Sequence, residues 1–375
     1  MATDTITVTY KVTTPLFCGS ARPSTAELRL PSFKGVLRWW WRALAWSKYE
    51  GALSKVGSAE DELFGSARGG QGKVVMRLLP SSPPSMTKTD DILKLNGQVV
   101  GDGARYLGYG VMEAFGSSKK NVQAGQLTRA CLQAPFDLKI ELRVRALDEF
   151  GRGLLLDALQ ATGLLGGIGA KSRKGYGSLV IRSIAINGES CWSPPPTATD
   201  LGIAIQRLVP PSEKKISSPS MLPPYTALSP QTRVVLVSAD GQSESLALLD
   251  RLGREIMRFR SWGHDGKVLS TDSERNFKDD HDLMKKASGQ RTAHPRRIIF
   301  GLPHNYGKNN DQQVGPGDKD IDRRASPLII HMHECGALPI AVLAVLRAQF
   351  LPGGDDAKVN VGGKQGKASP SPLLT

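Results

Sequence analysis

The sequence contains no apolar segment long enough to cross a membrane. Its longest nearly uninterrupted apolar stretch, residues 337–346, falls far short of the roughly 20 residues that a membrane-spanning helix requires. The first residues, MATDTITVTYKV, also lack the basic region and apolar core of a secretory signal. We therefore expect a soluble, cytoplasmic protein with no membrane partner.

Cysteine is scarce as well. Cys18, Cys131, Cys191 and Cys335 lie far apart and form no Cys-x-x-Cys pair, which argues against a disulfide framework and a cysteine zinc knuckle. The glycine-rich segment GGIGAKSRKGYGSLV, residues 166–180, lacks the Gly-Lys-Ser/Thr end of a Walker A loop and the third glycine of a dinucleotide fingerprint. We therefore expect no cofactor and no bound metal.

Acidic residues are too few to balance the basic ones. The chain has 35 Asp and Glu against 49 Lys and Arg, so its net charge is +14 with His neutral. Such an excess favours an anionic partner, nucleic acid before an anionic membrane surface. With 375 residues, 40% hydrophobic and 22% charged, the chain has a globular composition and a length that suits two domains or one large one.

The periodicity of the first half predicts six elements. Residues 6–12 alternate as a half-buried strand, and residues 33–49 carry a helical apolar stripe with Ser32 as N-cap. Further along the chain, the pattern predicts two strands at residues 72–79 and 136–144, a second helix at 148–162 and a last strand at 178–186. The order β-α-β-β-α-β is that of a ferredoxin-like domain, which we place at residues 1–192 with its glycine-rich loop.

Part of this pattern recurs after a segment rich in Pro and Ser. We predict a linker at residues 193–230, a second ferredoxin-like domain at 231–352 with a long insertion, and a disordered tail at 353–375. The elements predicted in the second domain are strands 232–238, 297–302 and 327–333, a helix at 243–259 capped by Ser243, and a final apolar element at 340–351. The predicted fold class is α+β, with two ferredoxin-like (RRM-like) domains.

The first predicted helix combines cations with aromatic rings. Lys34, Arg38 and Arg42 repeat every four residues and so form one basic stripe, and four tryptophans fall within residues 39–46. Phosphates can bind the cations and bases can stack on the rings. The alternative is a solvated charged face over a tryptophan core, which is our interpretation of Trp40. If the stripe binds RNA, the double substitution Arg38→Ala, Arg42→Ala should weaken binding and leave the fold unchanged.

The glycine-rich loop is the second candidate. Glycines at positions that include Gly167 and Gly169 let the backbone approach a ligand closely. Lys171, Arg173 and Lys174 lie among them without an acidic residue. Backbone N–H groups and three cations together would cradle an anion, although a plain flexible turn is the alternative.

Arginines near predicted element ends form a third set. Arg258 and Arg260 follow Arg254 near the end of the helix in the second domain, and the pairs Arg296–Arg297 and Arg323–Arg324 precede two predicted strands. Recurring pairs at strand starts favour a basic groove. A cation at a helix C-terminus, however, also simply complements the helix dipole.

Histidines support two enzyme alternatives. His331 and His333 share one strand face and could ligate a metal, although no third ligand of suitable spacing is evident. His281 lies among acids such as Asp280, which would raise its pKa and suit it to acid–base cleavage of RNA. The plainer interpretations are sheet histidines with satisfied nitrogens and an acidic first helical turn.

Five segments together resemble a known family. They are PSFKGVLRWWWRAL (31–44), LFGSARGGQGKV (63–74), the glycine-rich loop, FGLPHNYG (300–307) and RRASPLIIH (323–331). In order and spacing they resemble the CRISPR RAMP superfamily, and within it the family of the first subunit of the type III-B Cmr effector complex. The likeness spans residues 6–351, with a glycine loop after the second helix as its hallmark.

The resemblance implies a non-catalytic, RNA-binding subunit of a multisubunit antiviral ribonucleoprotein. Such a subunit lies near the 3′ end of the guide RNA, beside a neighbouring RAMP subunit, and helps capture complementary target RNA. The resemblance places Trp41 with the basic stripe on the exposed surface of the first helix, and Tyr176 with the cations of the glycine loop. It assigns the Arg323–Arg324 pair to the family's Arg-Arg-Ala-Ser-Pro element.

Overall fold

The computed structural model describes residues 3–22, 24–80, 83–86, 91–211, 222–238, 241, 244–261, 265–268, 271–286, 294–307, 312–354, 357–362 and 364–367. The chain has the predicted α+β fold, with small antiparallel sheets and helices. It divides into two compact units. Unit 1 comprises Met1–Pro210, Val234–Arg254 and Ile329–Ala344, and unit 2 comprises Pro211–Arg233, Glu255–Leu328 and Val345–Thr375.

The elements of the first half of the chain are, in order, β1 (Thr3–Val12), α1 (Leu30–Lys48), α2 (Leu53–Phe64), β2 (Val74–Leu78), β3 (Ser85–Met86), β4 (Lys94–Leu95), β5 (Gln98–Val99), α3 (Asp102–Leu107), a 3₁₀ turn (Ser118–Lys120), β6 (Cys131–Leu132), β7 (Phe136–Arg145), α4 (Glu149–Leu164), β8 (Leu179–Ile186) and β9 (Glu189–Trp192).

The elements of the second half are α5 (Ala198–Leu208), β10 (Arg233–Ser238), α6 (Ser245–Arg260), β11 (Lys267–Val268), β12 (Thr271–Asp272), α7 (Lys278–Lys285), a 3₁₀ helix (Arg296–Phe300), β13 (His304–Asn305), β14 (Gln313–Pro316), β15 (Leu328–Cys335), β16 (Leu338–Val345), β17 (Lys358–Val361) and β18 (Lys364–Lys367).

The main sheet of unit 1 has the strand order β2-β7-β1-β8-β9. Its first four strands, together with α1 and α4, reproduce the predicted ferredoxin-like pattern. Strand β1 pairs antiparallel with β7, placing Val8 opposite Ile140, and also with β8. The alternation predicted for β1 is confirmed, because Ile6, Val8, Tyr10 and Val12 are all buried. Helices α1 and α4 pack against each other.

The second sheet has the order β10-β16-β15. With α6, these strands follow the order and arrangement of the first four elements of a ferredoxin-like domain. The prediction of a strand at 297–302 is wrong, since Arg296–Phe300 is a 3₁₀ helix. Its chain turns locally because the Asp280 side chain binds two consecutive backbone N–H groups, at 2.8 and 2.7 Å. Ile298 meanwhile enters the core of unit 2.

Two other predicted segments differ from the structure. The predicted linker contains α5, which begins after Thr197, whose side chain accepts the N–H of Asp200 at 3.2 Å. The predicted disordered tail contains β17 and β18, which join β14 and β13 in a four-stranded sheet. Residues 368–375 of that tail lie outside the described part of the chain, as does Ser243, the predicted cap of α6.

Helix α1 begins earlier than predicted. Its N-cap is Arg29, with proline in the first turn at Pro31, so Ser32 lies inside the helix. Proline suits this position because the first backbone N–H groups of a helix have no internal partner. Helix α2 was not predicted, and it determines where several side chains of α1 point. No helix within the described ranges is long and apolar enough to span a membrane.

Candidate nucleic-acid interface

The basic stripe of α1 faces α2. Lys34 Nζ donates to the carbonyl oxygen of Phe64 at 2.8 Å. Arg38 Nε and an Arg42 guanidinium N–H both donate to Glu60 Oε1, at 2.7 and 2.6 Å. The stripe therefore neutralises a buried carboxylate and complements the C-terminal end of α2. Since the side chains of Arg38 and Arg42 remain 29% and 37% exposed, their binding of RNA stays a prediction.

Trp41 was expected on the exposed surface, and this is wrong. Its side chain is only 2% exposed. The indole packs edge-on against Phe64, with ring centroids 6.1 Å apart, and its other neighbour is Tyr49, at 6.4 Å. Trp41 is buried because α2 and the turn after α1 cover this side of the helix. It is a packing residue and cannot stack on a base.

A groove opens on a different face of α1. It is lined by Ser32, Gly35, Val36 and Trp39, which recur at helical spacing, and by the glycine-rich loop opposite. Its volume is about 320 Å³. The space beside Gly35 is open, since a Cβ built there would meet nothing within 4 Å. This groove, which we call the α1–loop groove, was not predicted. A glycine inside a helix was the available signal, because glycine is a poor helix former.

The glycine-rich loop is a tightly bonded hairpin. The backbone N–H groups of Ile168, Ala170 and Gly177 donate to carbonyl oxygens at Gly177, Phe17 and Pro15, at 2.9, 2.8 and 3.0 Å. Gly177 has a φ of +58°, and a Cβ there would collide with the carbonyl oxygen of Ile168. The backbone cradle predicted for an anion is therefore wrong for these three N–H groups, which bind the protein itself.

The cations of this loop remain half-buried at its surface. The Arg173 guanidinium lies over the Trp39 ring, 4.9 Å from its centroid. Ile330 N donates to the carbonyl oxygen of Arg173 at 3.1 Å, which fixes the backbone at this residue. Burial lowers the pKa values of Arg173 and Lys171, and the positive charge of Arg129 adds to the effect on Lys171. Lys174 is the third cation, and its backbone pairs with Ile330.

Two predicted loop residues have different surroundings from those expected. Tyr176 is fully buried, its hydroxyl donates to the carbonyl oxygen of Ala104 at 2.7 Å, and its ring packs against Phe17. Burial, with the charge of Asp250, raises the pKa of Tyr176. The prediction that Tyr176 contacts RNA is therefore wrong. Gly167 lines the α1–loop groove. Gly169 is half-buried, and the backbone N–H groups of its two neighbours, Ile168 and Ala170, donate to carbonyl oxygens of the protein.

His331 and His333 match the interpretation of sheet histidines with internal partners rather than the metal-ligand alternative. His331 Nδ1 lies 2.7 Å from the carbonyl oxygen of Gly166, and its Nε2 lies 3.1 Å from His333 Nδ1. Both rings are buried in β15, and burial lowers both pKa values, that of His331 to about 4. Three of their four nitrogens are thus used inside the protein, beneath the glycine-rich loop. Within the described ranges, no three His, Cys, Asp or Glu side chains gather as metal ligands.

The candidate arginines from Arg258 onward belong to unit 2. Arg258 binds Glu255 at 2.9 Å and the carbonyl oxygen of Asp272 at 3.1 Å. The Arg260 guanidinium lies 4.3 Å from the ring centroid of Phe300. Arg296 and Arg323 are exposed.

Arg324 contributes to the structure of unit 2. Its Nε donates to the carbonyl oxygen of Phe350 at 2.6 Å, and another guanidinium N–H reaches Thr226 Oγ1 at 3.3 Å. The predicted pair therefore separates, with an exposed Arg323 and a partly buried Arg324.

The electrostatics of Asp280 and His281 are the opposite of those expected for an acid–base pair. Asp280 is 3% exposed and accepts two backbone N–H groups and, at 3.2 Å, the Tyr306 hydroxyl. Burial and the charge of Arg297 lower the pKa of His281 to about 4, although the neighbouring acids were expected to raise it. A carboxylate with three donors and an imidazole held neutral argue against the proposed proton transfer.

Parts of the chain resemble known proteins. A family model described as the RAMP superfamily matches residues 9–180. The CRISPR system Cmr subunit Cmr1-1 of Pyrococcus furiosus is 30% identical over 155 residues, which are 41% of this chain and 40% of that protein. Cmr1-2 of the same organism is 26% identical over 182 residues, 46% of this chain and 91% of its own length. The chain thus matches less than half of Cmr1-1.

Solved structures share the fold. Apo Cmr1 from Pyrococcus furiosus superposes with a TM-score of 0.53 at 20% identity, covering 93% of this chain and 88% of that one. A chain of the type III-B Cmr-β complex bound to cognate target RNA gives 0.51 at 13% identity, covering 93% and 96%. At these identities the likeness concerns the fold alone. Together with the family model, these matches confirm the resemblance that the sequence motifs indicated.

Proposed function

We propose that the chain is an RNA-binding, non-catalytic subunit of a type III-B Cmr effector ribonucleoprotein, because residues 9–180 match the RAMP superfamily model and parts of the chain are similar to Cmr1 subunits. It lies near the 3′ end of the guide RNA, contacts the neighbouring RAMP subunit there, and helps capture complementary target RNA. Its partners are the guide RNA, the target RNA and the other Cmr subunits, and it acts in the cytoplasm.

The α1–loop groove carries the RNA-binding part of this proposal. It brings together a half-buried indole and a guanidinium 4.9 Å from that ring, and Lys171 and Lys174 lie close to this arginine in the glycine-rich loop. A strand can place phosphates beside these cations and a base beside the indole without reading the sequence of the RNA. A protein that serves many guides needs such sequence-tolerant binding. The net charge of +14 strengthens the attraction at long range.

A salt titration tests the groove. We compare the full chain with the triple variant Lys171→Gln, Arg173→Gln, Lys174→Gln by fluorescence anisotropy of a labelled single-stranded RNA. We expect binding at least about tenfold weaker and a salt slope shallower by about 2, because each lost phosphate contact reduces the slope by roughly 0.7.

The matched control removes three exposed cations from the main sheet, by Arg77→Gln, Lys139→Gln and Arg143→Gln. It has the same change in net charge and leaves the groove intact, so its affinity should fall much less. Equal losses in both variants would reduce the binding to non-specific surface charge. An unchanged affinity of the groove variant would remove the groove from the interface.

Two further measurements test the assembly and the absence of catalysis. Purification of the tagged protein from its native host should bring a guide RNA and other Cmr subunits with it, and their absence would contradict the proposed complex. Incubation with guide and target RNAs should give no cleavage products. Products that disappear in His281→Ala would instead make this subunit a nuclease.

A further inference from the structure

The segment FGLPHNYG, residues 300–307, has no role in the α1–loop groove, and it builds a separate cluster within unit 2. It contributes His304 and Tyr306, which join His281 of α7 and Arg297 of the 3₁₀ helix. All four side chains are partly exposed, so a solute can reach the cluster.

The guanidinium of Arg297 is the centre of this cluster. Its Nε donates to His304 Nε2 at 3.2 Å, and a terminal N–H lies 3.2 Å from His281 Nε2. Because a guanidinium can only donate, both imidazoles accept from it. The Tyr306 ring lies 5.3 Å from the guanidinium carbon. Among the described residues, no carboxylate forms an ion pair with this guanidinium.

The nearby carboxylates have other partners. Asp280 accepts the backbone N–H groups of Arg296 and Arg297 and the Tyr306 hydroxyl. Asp282 lies 3.5 Å from Lys285 on the exposed side of α7. Among the described residues, this partly desolvated guanidinium therefore binds two neutral imidazoles and has no carboxylate within ion-pair distance, although Asp280 lies nearby. Such a site favours an anion from solution, because desolvation strengthens a charge-assisted hydrogen bond.

The surrounding charges make the histidines responsive to such an anion. Burial and Arg297 lower the pKa of His281 to about 4, an effect that Lys285 increases and Asp280 and Asp282 oppose. Burial, Arg297 and Arg260 lower the pKa of His304 to about 3. An anion beside Arg297 would offset these positive charges, and a proton from solvent taken up at Nε2 of either ring would replace the bond accepted from Arg297 with an N–H that can donate to the anion.

We propose that Arg297, His281 and His304 form a binding site for a phosphate group of an RNA strand, and that binding is coupled to proton uptake by the two imidazoles. A planar guanidinium and two imidazoles offer several donors from different directions, which suits a tetrahedral anion with several oxygens. The argument for a phosphate group rests only on the geometry of these three side chains. Its assignment to RNA rests on the proposed function.

Histidine NMR of the full-length protein tests the site. The signals of His281 and His304, assigned by substitution among the six histidines, are followed against pH in a phosphate-free buffer, with inorganic phosphate, and with a single-stranded RNA. With inorganic phosphate, and equally with RNA, we expect the apparent pKa of His281 to rise by at least about one unit. By linkage, the affinity for phosphate should then rise by up to about tenfold per pH unit of acidification for each imidazole that takes up a proton.

The matched pair of variants is Arg297→Gln and Arg296→Gln, which remove one charge each from adjacent residues and keep both backbone N–H groups for Asp280. Arg297→Gln should bind phosphate at least about tenfold more weakly, and Arg296→Gln nearly as well as wild type. If Arg297→Gln fails to fold, His304→Gln replaces it, and this variant should take up about half as many protons on binding phosphate.

The outcomes separate the two proposals. No shift of either histidine with phosphate or RNA, or equal losses in the adjacent variants, would overturn the site. A shift with phosphate but none with an RNA that the protein binds would overturn RNA as its ligand. A wild-type protein that binds no RNA would overturn the proposed function, while the phosphate arm would still decide whether the site exists.

Discussion

Removing both arginines that bind Glu60 should destabilise the fold. The Glu60 carboxylate is 9% exposed, and one of its oxygens accepts from Arg38 at 2.7 Å and from Arg42 at 2.6 Å. In the double variant Arg38→Ala, Arg42→Ala, this buried charge keeps neither partner. The expectation of an unchanged fold, drawn from the sequence, therefore has to be corrected.

The magnitude follows from burial. Breaking a buried ion pair by removing one partner costs roughly 3–5 kcal/mol. Both arginines are about one third exposed, so water screens part of the interaction. We expect a loss of about 2–3 kcal/mol in the free energy of unfolding for the double variant. Each single variant should lose about 1 kcal/mol or less, because Glu60 keeps one arginine.

Unfolding in guanidinium chloride, followed by tryptophan fluorescence, measures this loss, since Trp40 and Trp41 lie in α1. Adding Glu60→Gln to the double variant should recover about 1–2 kcal/mol, because it removes the unpaired charge. The control, Arg77→Ala with Arg143→Ala, breaks the ion pairs of two exposed arginines to the partly buried Glu141 and should cost less than about 1 kcal/mol. Additive single losses, or a further loss with Glu60→Gln, would refute the reasoning. RNA binding by the stripe is then best measured in the rescued triple variant.

Three other predictions concern the glycine-rich loop and its support. Gly177→Ala should cost about 3 kcal/mol or more, against about 1 kcal/mol for Gly188→Ala, because both have positive φ but only Gly177 lacks room for a Cβ; equal losses by chemical unfolding would contradict this. The free energy of unfolding should fall as pH drops from 6.5 toward 4, because the folded state holds the His331 ring neutral while the unfolded chain binds a proton. For His331 alone the slope is about 1.4 kcal/mol per pH unit. His331→Asn should reduce this slope, and an unchanged slope would mean that other groups cause it. Tyr176→Phe should lose about 1 kcal/mol with the hydrogen bond to Ala104 and should leave RNA affinity unchanged; weaker RNA binding in this variant would return Tyr176 to the interface.

The sequence predicts the main sheet well because half-buried strands have a period of two. Strands β1 and β7 each bury one face and leave the other at least partly exposed, so their alternation is strong. Helix α4 was equally clear, since its core-facing leucines recur at helical spacing and Asp148 caps it, accepting the N–H of Gly151 at 2.7 Å.

The orientation of the α1 side chains could not be predicted without α2. The segment LSKVGSAEDELF has a weak apolar stripe, because Glu60 is one of its buried residues. Because α2 was not predicted, Trp41 and the basic stripe were expected to be exposed. A charge that is buried only because two distant arginines meet it carries no periodic signal in the sequence.

The glycine-rich loop was found as a loop, but its contacts were not. A cluster of glycines predicts a loop with positive φ angles. The carbonyl oxygens that accept from N–H groups of this loop belong to Pro15 and Phe17, which are distant in sequence and so could not be predicted. The burial of Tyr176 likewise depends on α3, in a segment whose short elements leave little pattern. In unit 2, strands of two to four residues, such as β11 and β13, are too short to show alternation.

The order of segments in unit 1 has a consequence for synthesis on the ribosome. The glycine-rich loop is fixed partly by β15, since Ile330 N donates to Arg173 O and Met332 N donates to Ser178 Oγ at 3.0 Å. Strand β15 leaves the exit tunnel some 150 residues after the loop that it supports. A nascent chain ending near residue 210 therefore holds an unfinished unit, and shortened expression fragments cut at that point will lack the strand that positions Arg173.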